Sequence, residues 1–175
     1  MTITLRRFEA EEWREYRDLR LRALLDAPDA FGSTYEREAA LQDADWEARL
    51  AAGVSEARQF PVVALSGETP VGLAWGCADE REPTVAHLYQ VWVAPDHRGQ
   101  GVGRQLTNAV IEWARELGVR ALRLGVTPSH AAARRLYRRV GFVDAGELEP
   151  LRPGSTVMCR PMELSLDLGG PNRSK

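Results

Sequence analysis

Three glycines at alternate positions, Gly99, Gly101 and Gly103, sit inside Arg98-Gly99-Gln100-Gly101-Val102-Gly103. Glycine takes positive φ readily and puts no Cβ between the backbone amides and a ligand. The residues after the turn are spaced as a helix, with Val102, Leu106, Ala109, Val110, Trp113 and Leu117 on one stripe. A helix that begins where free amides converge is an anion site, because unpaired N–H groups and the positive end of the dipole both favour a phosphate. Two familiar phosphate loops are excluded. Starting from Gly99 or Gly101, the sixth position of G-x-G-x-x-G holds Arg104 or Leu106, and the only lysine is Lys175, so no Gly-Lys-Ser/Thr follows the turn. On its own, the turn fits either an unusual phosphate cradle or a tight strand-to-helix connection with no ligand.

The elements around the turn decide what it can hold. Leu88–Val93 is aromatic and β-branched and reads as a strand ended by Pro95 and Asp96. Upstream, Thr2–Phe8 alternates as a first strand, and Glu9–Leu25 is an amphipathic helix broken at Asp26-Ala27-Pro28-Asp29. Ala30–Glu36 is an aromatic, hydroxyl-rich loop, and Asp43–Ala52 is a second helix. Phe60–Leu65 and Pro70–Cys77 flank a Ser-Gly-Glu-Thr turn as an antiparallel hairpin leading into the central strand. Downstream, Arg120–Val126 must run parallel to residues 87–94, because the helix between them is a crossover. Ser129–Val140 is helical, and Phe142–Glu147 and Thr156–Leu164 close the sheet, the last strand at an edge.

A chain of 175 residues with 44% hydrophobic content supports one core, and a net charge of −2 gives no reason to expect a nucleic-acid partner. No apolar run reaches membrane-spanning or signal-peptide length, so no membrane partner and a cytoplasmic location are expected. Cys77 and Cys159 lack paired spacing, and no metal site is expected.

Arg98-x-x-Gly101-x-Gly103 after Val91-Trp92-Val93-Ala94-Pro95 resembles motif A of the GNAT superfamily of N-acetyltransferases. A second stretch, His130-Ala131-Ala132-Ala133-Arg134-Arg135-Leu136-Tyr137-Arg138-Arg139-Val140-Gly141-Phe142, is similar to the family's N-x-x-A-x-x-L-Y-x-x-x-G-F, with His130 where the family usually carries Asn. The resemblance implies an α/β (α+β) GNAT fold. Its mixed central sheet has about six or seven strands, mostly antiparallel with one parallel pair splayed apart, flanked by about four helices. A single domain is expected over residues 1–164, with 165–175 a frayed tail.

The resemblance also implies acetyl-CoA as cosubstrate and a small-molecule or peptide amine as acceptor. The pantetheine arm is expected against Val91, Trp92 and Val93, whose backbone a strand bulge would free. The amides of Gly99, Gln100, Gly101, Val102 and Gly103 are expected to cradle the pyrophosphate, helped by Arg98 and Arg104, with His130 and Ala133 beside the cofactor. One or two of Arg134, Arg135, Arg138 and Arg139 are expected at the 3′-phosphate of CoA. With no covalent nucleophile in these motifs, an acceptor amine attacks the thioester directly.

Tyr137 is assigned as general acid to the leaving thiolate; the competing reading is packing on the apolar helix face. His87 is the candidate general base, against an ordinary histidine at a strand start. Tyr89, on the same strand face, and Phe31, Tyr35 and Glu36 from the early loop are candidate acceptor contacts. Leu124-Gly125-Val126-Thr127 stands where ribosomal-protein N-terminal acetyltransferases carry L-E-V-R, and the missing charges argue against that subfamily. A non-catalytic acyl-CoA-binding module on the same fold is the alternative. An exposed last strand would offer its backbone to a second copy, so a homodimer is expected.

Overall fold

The structure is a computed structural model that describes residues 2–166. In chain order the elements are β1 (Ile3–Arg7), α1 (Trp13–Asp26), α2 (Tyr35–Ala39), α3 (Asp43–Ser55), β2 (Gln59–Ser66), β3 (Thr69–Ala78), β4 (Val85–Val93), α4 (Val102–Leu117), β5 (Ala121–Val126), α5 (Ala131–Val140), β6 (Val143–Asp144), β7 (Glu149–Pro150) and β8 (Met158–Ser165). The sheet order is β1-β2-β3-β4-β5-β8-β6, with β7 also paired to β8. β2 to β4 form an antiparallel meander with β1 antiparallel on its outer side, β4 and β5 are the parallel pair, and β5 to β8 is antiparallel again. The expected mixed sheet with one parallel pair is therefore present, with one further two-residue strand, β7, and a fifth, short helix, α2.

Consecutive residues of β3 show how the two faces are covered, since neighbouring side chains in a strand point opposite ways. Trp75 packs towards α3, where a Cβ built on Gly53 would lie 2.3 Å from its ring, and towards Tyr16 of α1, whose ring centroid is 5.3 Å away. Gly76 faces α4, and a Cβ there would lie 2.7 Å from the Trp113 ring. Only a residue without a side chain lets α4 seat this deeply. Helix α4 buries Val102, Leu106, Val110, Ile111 and Trp113 against the sheet, as its apolar stripe requires.

Three expectations are corrected. The segment expected as a loop through Glu36 turns helical at Tyr35, because Thr34 caps α2 with its Oγ1 accepting the Arg37 N–H at 3.3 Å. The strand expected over Phe142–Glu147 pairs only through Val143 and Asp144. The last strand is not an edge: β8 has β5 along one side and β6 and β7 along the other. The exposed backbone on which a homodimer was expected is thus already paired. β8 also runs to Ser165, and Leu166 is buried with its N–H on the Arg120 carbonyl at 2.8 Å. The rest of the tail, 167–175, lies outside the described residues.

Candidate active site

The site begins as a fault in the ladder between β3 and β4. Leu73 opposes Trp92 and Trp75 opposes Tyr89, so Gln90 and Val91 together face Ala74. This is a bulge at the position where one was expected. Gln90 takes the left-handed conformation, φ 58°, uncommon for a residue with a side chain. Its Oε1 accepts the Tyr16 hydroxyl at 2.9 Å, which holds the distorted residue to α1. β4 and β5 pair only through Val85–Ala121, Ala86–Leu122 and His87–Arg123, then diverge.

Two cavities open along this divergence. One, of about 1020 Å³, runs between the end of β4, the glycine turn and α5. Every expected cofactor residue lines it except Gln100, whose side-chain amide instead braces the turn by donating to the Asp96 carbonyl at 3.2 Å. Gly99 and Gly101 have φ of 73° and 82°, and a Cβ on either would meet no protein atom within 4 Å. The turn is therefore glycine for conformation and faces open space. Gly103 has a different reason: its Cβ position is 3.3 Å from Leu136 of α5, so it sets the approach of the two helices.

Arg98 is only partly free for an anion. Its Nε donates to the Val93 carbonyl at 2.9 Å, and its guanidinium pairs with Asp26. Asp26 also accepts the Trp92 indole N–H at 2.9 Å. Burial pushes the Asp26 carboxyl up, but the bonds from Trp92 and Arg98 outweigh it and hold the group below its usual range. This carboxylate, in the helix stop at residues 26–29, ties the end of α1 to the end of β4 and to the first residue of the turn. The arginine run of α5 separates by helical position. Arg134 and Arg138 reach Asp144 at 3.3 and 3.5 Å, while Arg135 and Arg139 line the cavity.

The second cavity, about 570 Å³, lies on the β5 side. Phe31, His87 and Tyr89 line it; Tyr35 and Glu36 line neither cavity, because they begin α2. Tyr137, His130, Ala133, Val91 and Phe31 belong to both walls. Tyr137 is 8% exposed and packs edge-on against Phe142 at 5.8 Å. Burial pushes its phenol well above the ordinary tyrosine value, so it stays protonated at neutral pH.

His87 stacks on Tyr89, with ring centroids 5.4 Å apart and planes at 11°. Its Nε2 is 2.8 Å from Oδ2 of Asp79, in the turn between β3 and β4. The other oxygen of Asp79 accepts the backbone N–H groups of Arg81 at 2.7 Å and Glu82 at 2.8 Å. The Glu82 amide, then His87, then the Arg81 amide hold the Asp79 carboxyl far below the usual carboxylate range. Counting back from the turn gives the register Cys77–His87, which brings residue 79 beside the start of β4.

A mixed sheet whose parallel pair splays beside a glycine-rich helix start, with a buried tyrosine between two cavities, defines a GNAT-type domain. The chain belongs to the acetyltransferase (GNAT) family, whose sequence profile matches residues 8–142. It is 32% identical over 129 residues to an L-methionine sulfoximine/L-methionine sulfone acetyltransferase of Pseudomonas aeruginosa, covering 69% of this chain and 72% of that protein. It is 31% identical over 111 residues to a mycothiol acetyltransferase of Pseudarthrobacter chlorophenolicus, covering 62% of this chain and only 34% of that longer protein. Among solved structures, a GNAT superfamily phosphinothricin acetyltransferase from Sinorhizobium meliloti, in complex with acetyl-CoA, superposes with a TM-score of 0.79 at 20% identity, covering 100% of this chain and 94% of that one.

Proposed function

We propose that this chain transfers an acetyl group from acetyl-CoA to the primary amine of a small molecule or peptide. The observation that carries the reading is Tyr137, buried in the wall shared by the cavity at the glycine turn and the cavity at His87. A donor and an acceptor bound in the two cavities meet at its ring.

The residues present fit the cosubstrate. The turn at Gly99–Gly103 faces open space at the start of α4 and suits the pyrophosphate. The bulge at Gln90–Val91 leaves strand backbone without a ladder partner beside the cavity, which suits an extended amide arm. Arg104, Arg135 and Arg139 supply positive charge along the same wall for the remaining phosphate. When bound, acetyl-CoA supplies a thioester carbonyl and a thiol leaving group.

In this reading His87 takes a proton from the acceptor ammonium, freeing the lone pair for attack on the carbonyl carbon. The C–N bond forms, the C–S bond breaks, and the attacking nitrogen loses its second proton to solvent. Tyr137 gives its hydroxyl proton to the departing sulfur and regains one from solvent. The net products are the amide, the free thiol and one proton. Placement of the two partners at the splay is the main source of rate.

The test pairs binding with turnover. Acetyl-CoA should raise the melting temperature, as any ligand of the native state does. Thiol release should then appear with at least one amine in a panel led by amino acids, since the methionine sulfoximine relative is named for such an acceptor. Absence of binding rejects the proposal. Binding without transfer to any amine means a non-catalytic acyl-CoA module.

A further inference from the structure

We propose that Asp79 is a positioning residue for His87, fixing the imidazole in the tautomer that leaves Nδ1 as a proton acceptor at the acceptor cavity. The inference rests on the base role given to His87 above.

An ionised carboxylate only accepts hydrogen bonds, so the 2.8 Å contact between Asp79 Oδ2 and His87 Nε2 places the imidazole proton on Nε2. The lone pair of the neutral ring is then on Nδ1. That atom has no hydrogen-bond partner among the described residues and is not sealed from solvent, and the ring lines the acceptor cavity. The carboxylate is itself immobilised. Its second oxygen accepts two backbone amides of the turn, and the Asp79 N–H donates to the Val85 carbonyl at 2.9 Å. Stacking on Tyr89 fixes the ring plane. Tautomer, orientation and plane of the imidazole are thus all set by neighbours, as a base needs when its partner proton arrives from one direction.

The other titratable groups facing the ring do not compete for this role. Cys77, opposite on β3, has a thiol pushed up by burial and then by nearby carboxylates. Burial likewise pushes up the Tyr89 phenol. Arg123, opposite on β5, is held by Glu82 and by Glu163, the latter at 2.7 Å. Among the described residues, Asp79 is therefore the one charged partner bonded to the imidazole.

Asp79→Asn isolates the effect. The amide oxygen can still accept the turn N–H groups, but the amide nitrogen then donates to Nε2 and drives the ring proton to Nδ1. The base is present in the wrong tautomer. With the variant's melting temperature showing an intact fold, histidine side-chain NMR should report the proton moving from Nε2 to Nδ1. kcat should fall by about tenfold to a hundredfold, within the range that acid–base help contributes, with acetyl-CoA affinity unchanged. In a His87→Gln background the same substitution should have no further effect.

An Asp79→Asn enzyme that keeps the Nε2–H tautomer, or that slows equally in the His87→Gln background, overturns the positioning role while the base role stands. A His87→Gln enzyme with wild-type rate and pH profile removes the base role and this inference with it. The acetyl-transfer reading, tested by thiol release, survives that result.

Discussion

The hydroxyl of Tyr16 in α1 donates to Oε1 of Gln90 at 2.9 Å, and Gln90 is the left-handed residue of the β4 bulge. The strain of a positive φ at a residue with a Cβ costs on the order of 1–2 kcal/mol, so the bulge needs outside support. Tyr16 supplies it from a fully buried position between Phe8, Trp46 and Trp75. Tyr16→Phe keeps the ring and its packing. It should reduce stability by about 0.5–1.5 kcal/mol, the net worth of one hydrogen bond. Because the bulge frees the cofactor-side backbone, acetyl-CoA affinity should fall as well. Urea denaturation and calorimetry on the same variant measure the two effects. A loss of stability with unchanged affinity would separate the bulge from cofactor binding.

How much of this was legible in the sequence follows from range. The glycine turn, α4 and the parallel strand order are local or nearly so: spacing gives the helix stripe, and a helix between two strands forces the crossover. The hairpins that join β2, β3 and β4 follow from short turns. The links that complete the site span long stretches of chain. Tyr16 and Gln90 are 74 residues apart, and Asp26 and Arg98 are 72 apart. No periodicity encodes which polar side chain of one element meets which of another. Asp79 and His87 are only eight apart, yet their pairing depends on the β3–β4 register, which composition and spacing do not fix. The edge assignment of β8 failed because two-residue strands carry no readable alternation, yet β6 and β7 cover its far side.

Gly101 gives the second prediction. Its φ of 82° at the start of α4 disfavours any β-branched residue, although there is space for the added atoms. Gly101→Val must rebuild the turn into ordinary φ, and the amides that face the cavity then point elsewhere. Acetyl-CoA binding should become undetectable by calorimetry while most of the fold remains by circular dichroism. Gly118→Ala, another left-handed glycine at the far end of α4 with φ 83°, is the control. It should cost stability alone and leave binding near wild type.

The arginines of α5 give the third. Arg135 and Arg139 line the cofactor cavity, whereas Arg134 and Arg138 lean on Asp144. The two groups should separate against CoA and its analogue lacking the 3′-phosphate. Arg135→Ala or Arg139→Ala should weaken CoA by about tenfold or more, from loss of a charge-assisted bond of about 1.5–3 kcal/mol, with little change for the dephosphorylated analogue. Arg134→Ala and Arg138→Ala should leave both affinities within about twofold, since exposed ion pairs contribute about 0–1 kcal/mol and neither side chain lines the cavity. Equal losses for both ligands at Arg135 and Arg139 would move the contact from the 3′-phosphate to the pyrophosphate.

Tyr137 separates chemistry from packing within one residue. Its ring is buried, touches Phe142 edge-on and forms part of both cavity walls. Phenylalanine reproduces all of that and removes one O–H. If the hydroxyl supplies the proton to the leaving thiolate, Tyr137→Phe should bind acetyl-CoA with near wild-type affinity and lose about 10²–10⁴ in kcat. The loss should shrink with an acyl donor whose thiol is more acidic, because a better leaving group needs less help from an acid. That dependence is what a purely structural tyrosine cannot produce. Steady-state rates with two thioesters of different thiol acidity, beside calorimetry and a melting curve, make the comparison. A wild-type rate in Tyr137→Phe removes the acid role. Weakened cofactor binding or a lowered melting temperature with no dependence on the leaving group returns the residue to packing.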